Sequence, residues 1–136
     1  MHCRFRLSNK GVSFPEVLIA VGILGFALTG LLNGMVTTIN LNRVTRNTSL
    51  ALTHAEYVLE SIRSTPYMSI TSDINTGRWT MKEKEIKDEG LVPLINESIT
   101  TAYSGSGPLT VTVVVKWEDT GGRKRNIELT TIEAGL

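Results

Sequence analysis

The chain has 136 residues and a formal net charge of +1, from 14 Lys and Arg against 13 Asp and Glu. That balance carries no sign of strong nucleic-acid affinity, and a lone cysteine, Cys3, excludes an internal disulfide and a thiolate metal site. Once one long helix is set aside, the residues from Thr65 on suffice for one small domain and not for two.

Residues 10–36, KGVSFPEVLIAVGILGFALTGLLNGMV, organise everything else. After Glu16 no charged residue appears until Arg43, and residues 17–32 are dense in Val, Ile, Leu, Phe and Ala. An uncharged apolar run of that length can cross a bilayer as a helix, with the span expected at about 17–36. Arg4, Arg6 and Lys10 precede it with no acid among them, so the positive-inside bias keeps the N-terminus cytoplasmic.

Glu16 sets this stretch apart. A carboxylate inside a membrane helix costs about 2.5–3.5 kcal/mol at the centre and less near an end, and such a group usually has a partner. None lies within the apolar run. A cut after Gly11 would create one, because the new α-amino group on Val12 is mostly cationic at neutral pH. It would sit one turn from Glu16 of its own chain or face Glu16 of a neighbour. On the other reading, Glu16 is a first-turn acid favoured by the helix dipole and reaching to the headgroups. Gly22, Gly25, Gly30 and Gly34 also carry two readings: close helix–helix packing, or local unwinding.

From residue 33 to 64 the same helix is expected to continue outside the membrane. Val36, Val44, Ala51, Ala55, Val58, Leu59 and Ile62 recur at helical spacing, with Arg43, Arg46, Glu56, Glu60 and Arg63 mostly elsewhere on the wheel. Glu56 and Glu60, at i and i+4, repel mildly, and Arg63 offsets Glu60. Thr65-Pro66 ends the helix. Residues 65–78 read as a polar loop anchored by Tyr67, Ile70 and Trp79. Residues 82–89, KEKEIKDE, read as a solvated short helix or strand face.

The C-terminal third predicts antiparallel strands. Residues 94–103 are one candidate. Residues 109–118 are the clearest, with Leu109, Val111, Val113, Val115 and Trp117 on one face. Asp119-Thr120-Gly121-Gly122 supplies a turn, and residues 123–133 return with Ile127 and Leu129 inward. Bringing Ile132 inward as well would need a slip in register. Trp117 reads as a core residue.

No nucleophile triad, P-loop, dinucleotide fingerprint or Cys/His metal spacing appears, so no catalytic residue, metal or cofactor is expected. His54 has no partner nearby in sequence and reads as structural or exposed. Arg123-Lys124-Arg125 reads as a soluble, unpaired hairpin edge rather than a DNA contact.

A basic leader ending in Lys10-Gly11, then Val12-Ser13-Phe14-Pro15-Glu16-Val17-Leu18-Ile19-Ala20 and a long apolar helix, resembles the type IV prepilin signal. The resemblance implies that a prepilin peptidase cleaves after Gly11 and N-methylates Val12, with residues 1–11 as the leader. It further implies that Glu16 pairs with the Val12 amine of an adjacent subunit, on an inner-membrane assembly platform. Val12 departs from the commoner Phe, and Pro15 from the commoner aliphatic residue, although Pro fits a first turn. The hairpin run Leu109-Thr110-Val111-Thr112-Val113, Lys116-Trp117-Glu118-Asp119, Gly122-Arg123-Lys124-Arg125 is similar to minor pilins of the PilV type. It also resembles the I-type minor pseudopilins of type II secretion.

The fold implied is α+β: one long N-terminal helix over residues 12–64, packed on a small head over residues 65–136 with an antiparallel sheet of about three strands. The function implied is that of a non-enzymatic filament subunit. It is stored in the bacterial inner membrane as a single-pass protein with a periplasmic head, its partners lipid, peptidase and other pilin or pseudopilin subunits. A plain single-pass membrane protein with an extracytoplasmic head is the alternative. An ordinary secretory signal is disfavoured, because the nearest small-x-small site, Ser49-Leu50-Ala51, lies too far past the apolar run.

Overall fold

A computed structural model describes residues 11–134, so the expectations for Cys3, Arg4, Arg6 and Lys10 lie outside the described residues. The elements in chain order are α1 (Phe14–Arg63), α2 (Tyr67–Asn75), β1 (Met81–Lys82), α3 (Glu83–Asp88), β2 (Ser98–Ser104), β3 (Leu109–Glu118) and β4 (Lys124–Glu133). The class is α+β.

Helix α1 is unbroken over 50 residues, about 75 Å at the α-helical rise. It starts where the Ser13 carbonyl accepts the N–H groups of Glu16 and Val17, at 3.0 and 3.2 Å. Pro15 stands in the first turn, where its missing N–H removes no helical bond. The helix stops at Arg63, two residues short of the proline-restricted Thr65.

The chain forms two compact units, one ending at Leu41 and the other beginning at Asn42. In the first, every described residue is exposed, including Val17, Leu18, Ile19, Ile23, Leu24, Phe26 and Leu31. Among the described residues one helix, α1, is long and apolar enough to cross a membrane, and its apolar window lies near the N-terminus. Thr29, Thr37 and Thr38 donate their hydroxyls to the carbonyls of Gly25, Asn33 and Gly34, each at 2.9 Å. Their polarity is thus satisfied inside the helix, as an apolar surrounding requires.

The second unit is built on a four-stranded antiparallel sheet in the order β1-β2-β3-β4. Alternation along β3 turns Leu109, Val111, Val113, Val115 and Trp117 inward, all at most 3% exposed. Against this face lie Ala51, Ala55, Val58, Leu59 and Ile62 of α1, the stripe expected from the spacing, together with Ile70, Trp79, Ile86 and Ile99. The β3–β4 hairpin closes through Asp119 N–H to Arg123 O (2.9 Å) and Gly122 N–H to Asp119 O (2.8 Å). Gly122 takes φ +72°, the left-handed residue that completes a three-residue hairpin loop.

Three expectations change, and the open question of the β4 register is answered. The sheet has four strands rather than about three, because β1 is only two residues long and leaves no alternation to read. Residues 65–78 are not simply a loop: Tyr67, Ile70 and Ile74, at i, i+3 and i+7, give α2 an apolar face that packs on the core despite its Ser, Thr, Asp and Asn content. Strand β2 begins at Ser98, not at residue 94, since Leu94 to Glu97 form a loop with Asn96 at φ +52°. Register along β4 runs without a slip, so Ile132 stays 67% exposed while Ile127 and Leu129 are half-buried.

Candidate functional site

The residues singled out at the N-terminus occupy the first unit. Gly11, Val12 and Ser13 precede the helix as exposed, non-helical chain, with Val12 71% exposed. Glu16 stands in the first turn of α1, is exposed, and forms no ion pair among the described residues. A β-carbon built on Gly22, Gly25, Gly30 or Gly34 would meet nothing within 4 Å. All four therefore leave the helix surface open to a close neighbour, without any contact inside the chain depending on them.

The second unit buries two carboxylates among polar partners. His54 is 1% exposed and its Nδ1 lies 2.7 Å from Glu97 Oε1. The other Glu97 oxygen accepts the Leu94 N–H at 2.7 Å, so this carboxylate, 2% exposed, ties helix α1 to the loop before β2. Sequence reasoning missed this partner because 43 residues separate the two. The available signal was that His54 falls inside the apolar stripe, and a buried imidazole there requires a polar partner.

At the hairpin end, Asp119 is 5% exposed and accepts the Thr120 N–H at 2.8 Å, with Arg123 at 3.3 Å and Arg125 Nε at 3.5 Å. Burial pushes its carboxyl up, but the Thr120 hydroxyl and N–H and the two guanidinium charges outweigh that, leaving its pKa below the usual carboxylate range. On the flank of α1, Tyr57 donates its hydroxyl to Glu89 Oε2 at 3.0 Å. That hydrogen bond, with the adjacent negative charge, holds the phenol pKa above its ordinary value.

Trp117 is core, as expected, and its indole Nε1 is buried without an acceptor. A cavity of about 460 Å³ opens at this end of the sheet, and Trp117 and Arg125 line it together with Asn96, Lys116, Glu118 and Lys124. Among the described residues no group of three or more His, Cys, Asp or Glu is placed to hold a metal.

These features define a class: an α+β protein with one candidate membrane-spanning helix near its N-terminus, whose outer surface, rather than a cleft, carries the unpartnered apolar area. No protein-family model, curated protein or solved structure matches the chain.

Proposed function

We propose that this protein is a minor pilin, a structural subunit of a type IV filament, with a type IV pilin-like fold. It is cleaved by prepilin peptidase after Gly11 and assembled through α1. The observation that carries the reading is a single unbroken helix with two opposite surfaces. Residues 14–41 are exposed and apolar on every side with one acid, Glu16, in the first turn, while from Ala51 on one stripe is buried against the sheet.

The chemistry follows from that arrangement. Before assembly, residues 17–36 hold the subunit in lipid with Glu16 at the edge of the span. Cleavage after Gly11, in exposed chain just ahead of the helix, frees a cationic amine on Val12. Pairing of that amine with Glu16 of a neighbour neutralises both charges. An unpaired buried charge is far costlier than a matched pair, so the pairing sets axial register as helices leave the bilayer. Gly22, Gly25, Gly30 and Gly34 let helices approach closely in the filament core.

The intact mass and N-terminal residue of the protein from its native membrane test this. A chain beginning at N-methylated Val12 is the expected result. A chain that still begins at Met1 makes it a plain single-pass membrane protein and withdraws the assembly role of Glu16. For a processed chain, loss of protein secretion rather than of piliation on deletion would place it in a secretion pseudopilus.

A further inference from the structure

The two edges of the sheet are built differently. At one, β1 is two residues long and runs directly into α3, which leaves almost no ladder for another strand. At the other, β4 pairs with β3 at every position from Lys124 to Glu133, with no bulge and neither Pro nor Gly. Proteins usually blunt an edge with proline, bulges, lysines or extreme shortness. Along the centre of β4, from Asn126 to Thr131, the only charge is Glu128.

The hairpin bond between Asp119 N–H and Arg123 O anchors the alternation of the ladder. Counting from it, Arg125, Ile127, Leu129, Thr131 and Glu133 bond to β3. Lys124, Asn126, Glu128, Thr130 and Ile132 turn their N–H and C=O groups to the open edge. Among the described residues no strand pairs there.

Beside this edge is a groove of about 690 Å³ between α1 and β4, lined by Thr53, Glu56, Leu59, Glu60, Arg63 and Leu129. Leu59 and Leu129 supply its apolar surface. Glu56 and Glu60 are exposed on the helix wall, and the single cation, Arg63, is shared between Glu60 at 3.9 Å and Glu133 at 4.0 Å. The groove is therefore apolar and net acidic.

We propose that β4 and this groove are a docking site for an extended segment of another protein, added to β4 as a fifth strand, with Lys or Arg at alternate positions facing the groove. Backbone bonds to the even-numbered residues of β4 supply affinity, and the groove supplies specificity. Long basic side chains suit both of its surfaces. Their methylene stems cover Leu59 and Leu129, and their charged heads reach Glu56 and Glu60. Spacing agrees as well: two residues along a strand span about 6.6 Å, and one turn from Glu56 to Glu60 spans about 6 Å. A second copy of this chain is a poor occupant. Two-fold pairing of β4 with β4 would bring two acidic grooves together and run the two α1 helices in opposite directions. The inference goes beyond the filament reading and does not rest on it.

The test titrates the full-length protein in detergent micelles with a labelled, capped decapeptide alternating lysine with threonine, and with its glutamate-for-lysine counterpart. The lysine peptide is expected to bind and to slow amide exchange at Asn126, Glu128, Thr130 and Ile132, leaving Ile127, Leu129 and Thr131 unchanged. Thr130→Pro removes an edge N–H without removing a bond to β3, and should weaken binding about tenfold or more. Glu56→Lys combined with Glu60→Lys should do the same from the opposite wall, and keeps the test intact if the proline variant misfolds. The proposal is overturned if the lysine peptide does not bind, binds both variants as tightly as the parent, leaves the edge amides unprotected, or is matched by the glutamate peptide. Self-association of the parent protein that Thr130→Pro abolishes would also overturn it, by assigning the edge to a second copy.

Discussion

The same helix behaves as two different materials. From Phe14 to Leu41 every residue is exposed, its threonines bond within the helix, and Glu16 has no ion pair among the described residues. From Ala51 to Ile62 it is core: Ala51, Ala55, Val58 and Ile62 are fully buried, and even its histidine has a buried carboxylate. Intrinsic helix propensity does not explain the contrast, since Val, Ile, Thr and Gly crowd the uncovered half. What differs is the solvent each half is suited to. One surface matches lipid or other helices, and the other matches a sheet.

The contrast predicts that equivalent substitutions have opposite consequences in the two regions. The largest difference is expected between the two acids. Glu97→Ala strands His54 and the Leu94 N–H in the core and should destabilise the second unit by about 3–5 kcal/mol. Glu16→Ala should leave that stability within about 0.5 kcal/mol. On the proposed filament reading, its expected effect is reduced incorporation into filaments with normal cleavage after Gly11. Denaturation followed by the fluorescence of Trp79 and Trp117, both buried in the second unit, reads the stability half of this comparison. Equal loss in the two variants would mean that the regions are not independent.

Next in size is the aliphatic pair. Ile62→Ala opens a cavity in a packed core and should cost about 2–5 kcal/mol, whereas Ile23→Ala removes a side chain that touches no core and should cost the second unit almost nothing. The same denaturation series checks both.

A smaller effect is expected from acid. The Asp119 pKa is depressed in the folded state, so its contribution to stability is fully present above the ordinary carboxylate range, above about pH 4. It is lost as pH falls through the lower folded value. Asp119→Asn should therefore lower stability at neutral pH, where that contribution is fully present, and flatten the fall in stability below about pH 4. An unchanged acid limb would show that Thr120, Arg123 and Arg125 do not favour the charged form.

The smallest effect belongs to Tyr57. Its raised pKa favours the protonated phenol in the folded state, so the bond to Glu89 stabilises below the usual phenol range and is lost as pH rises through the folded value. Because the group is exposed, Tyr57→Phe should change neutral-pH stability by about 0.5 kcal/mol or less, measured in the same way.

Much of this was legible in the chain because it rests on local period. The apolar run after Glu16, the stripe through Ala51, Ala55, Val58 and Ile62, the stop before Pro66 and the alternation of β3 each follow from spacing within a few residues. Helix α2 was obscured because its apolar face holds only three residues among polar ones, and composition pointed to a loop. Strand β1 is too short to have a period at all.

What the sequence alone determined is therefore the set of surfaces: which faces are apolar, how long the helix is and where it ends. Tertiary structure decided which surfaces meet. Only folding brings Glu97 to His54 across 43 residues, places Asp119 beside Arg123 and Arg125, and leaves β4 rather than β1 as the long open edge beside an acidic groove. The physical reason is that pairing across the chain depends on the geometry of packed elements, which a local period of 3.6 or 2 does not encode.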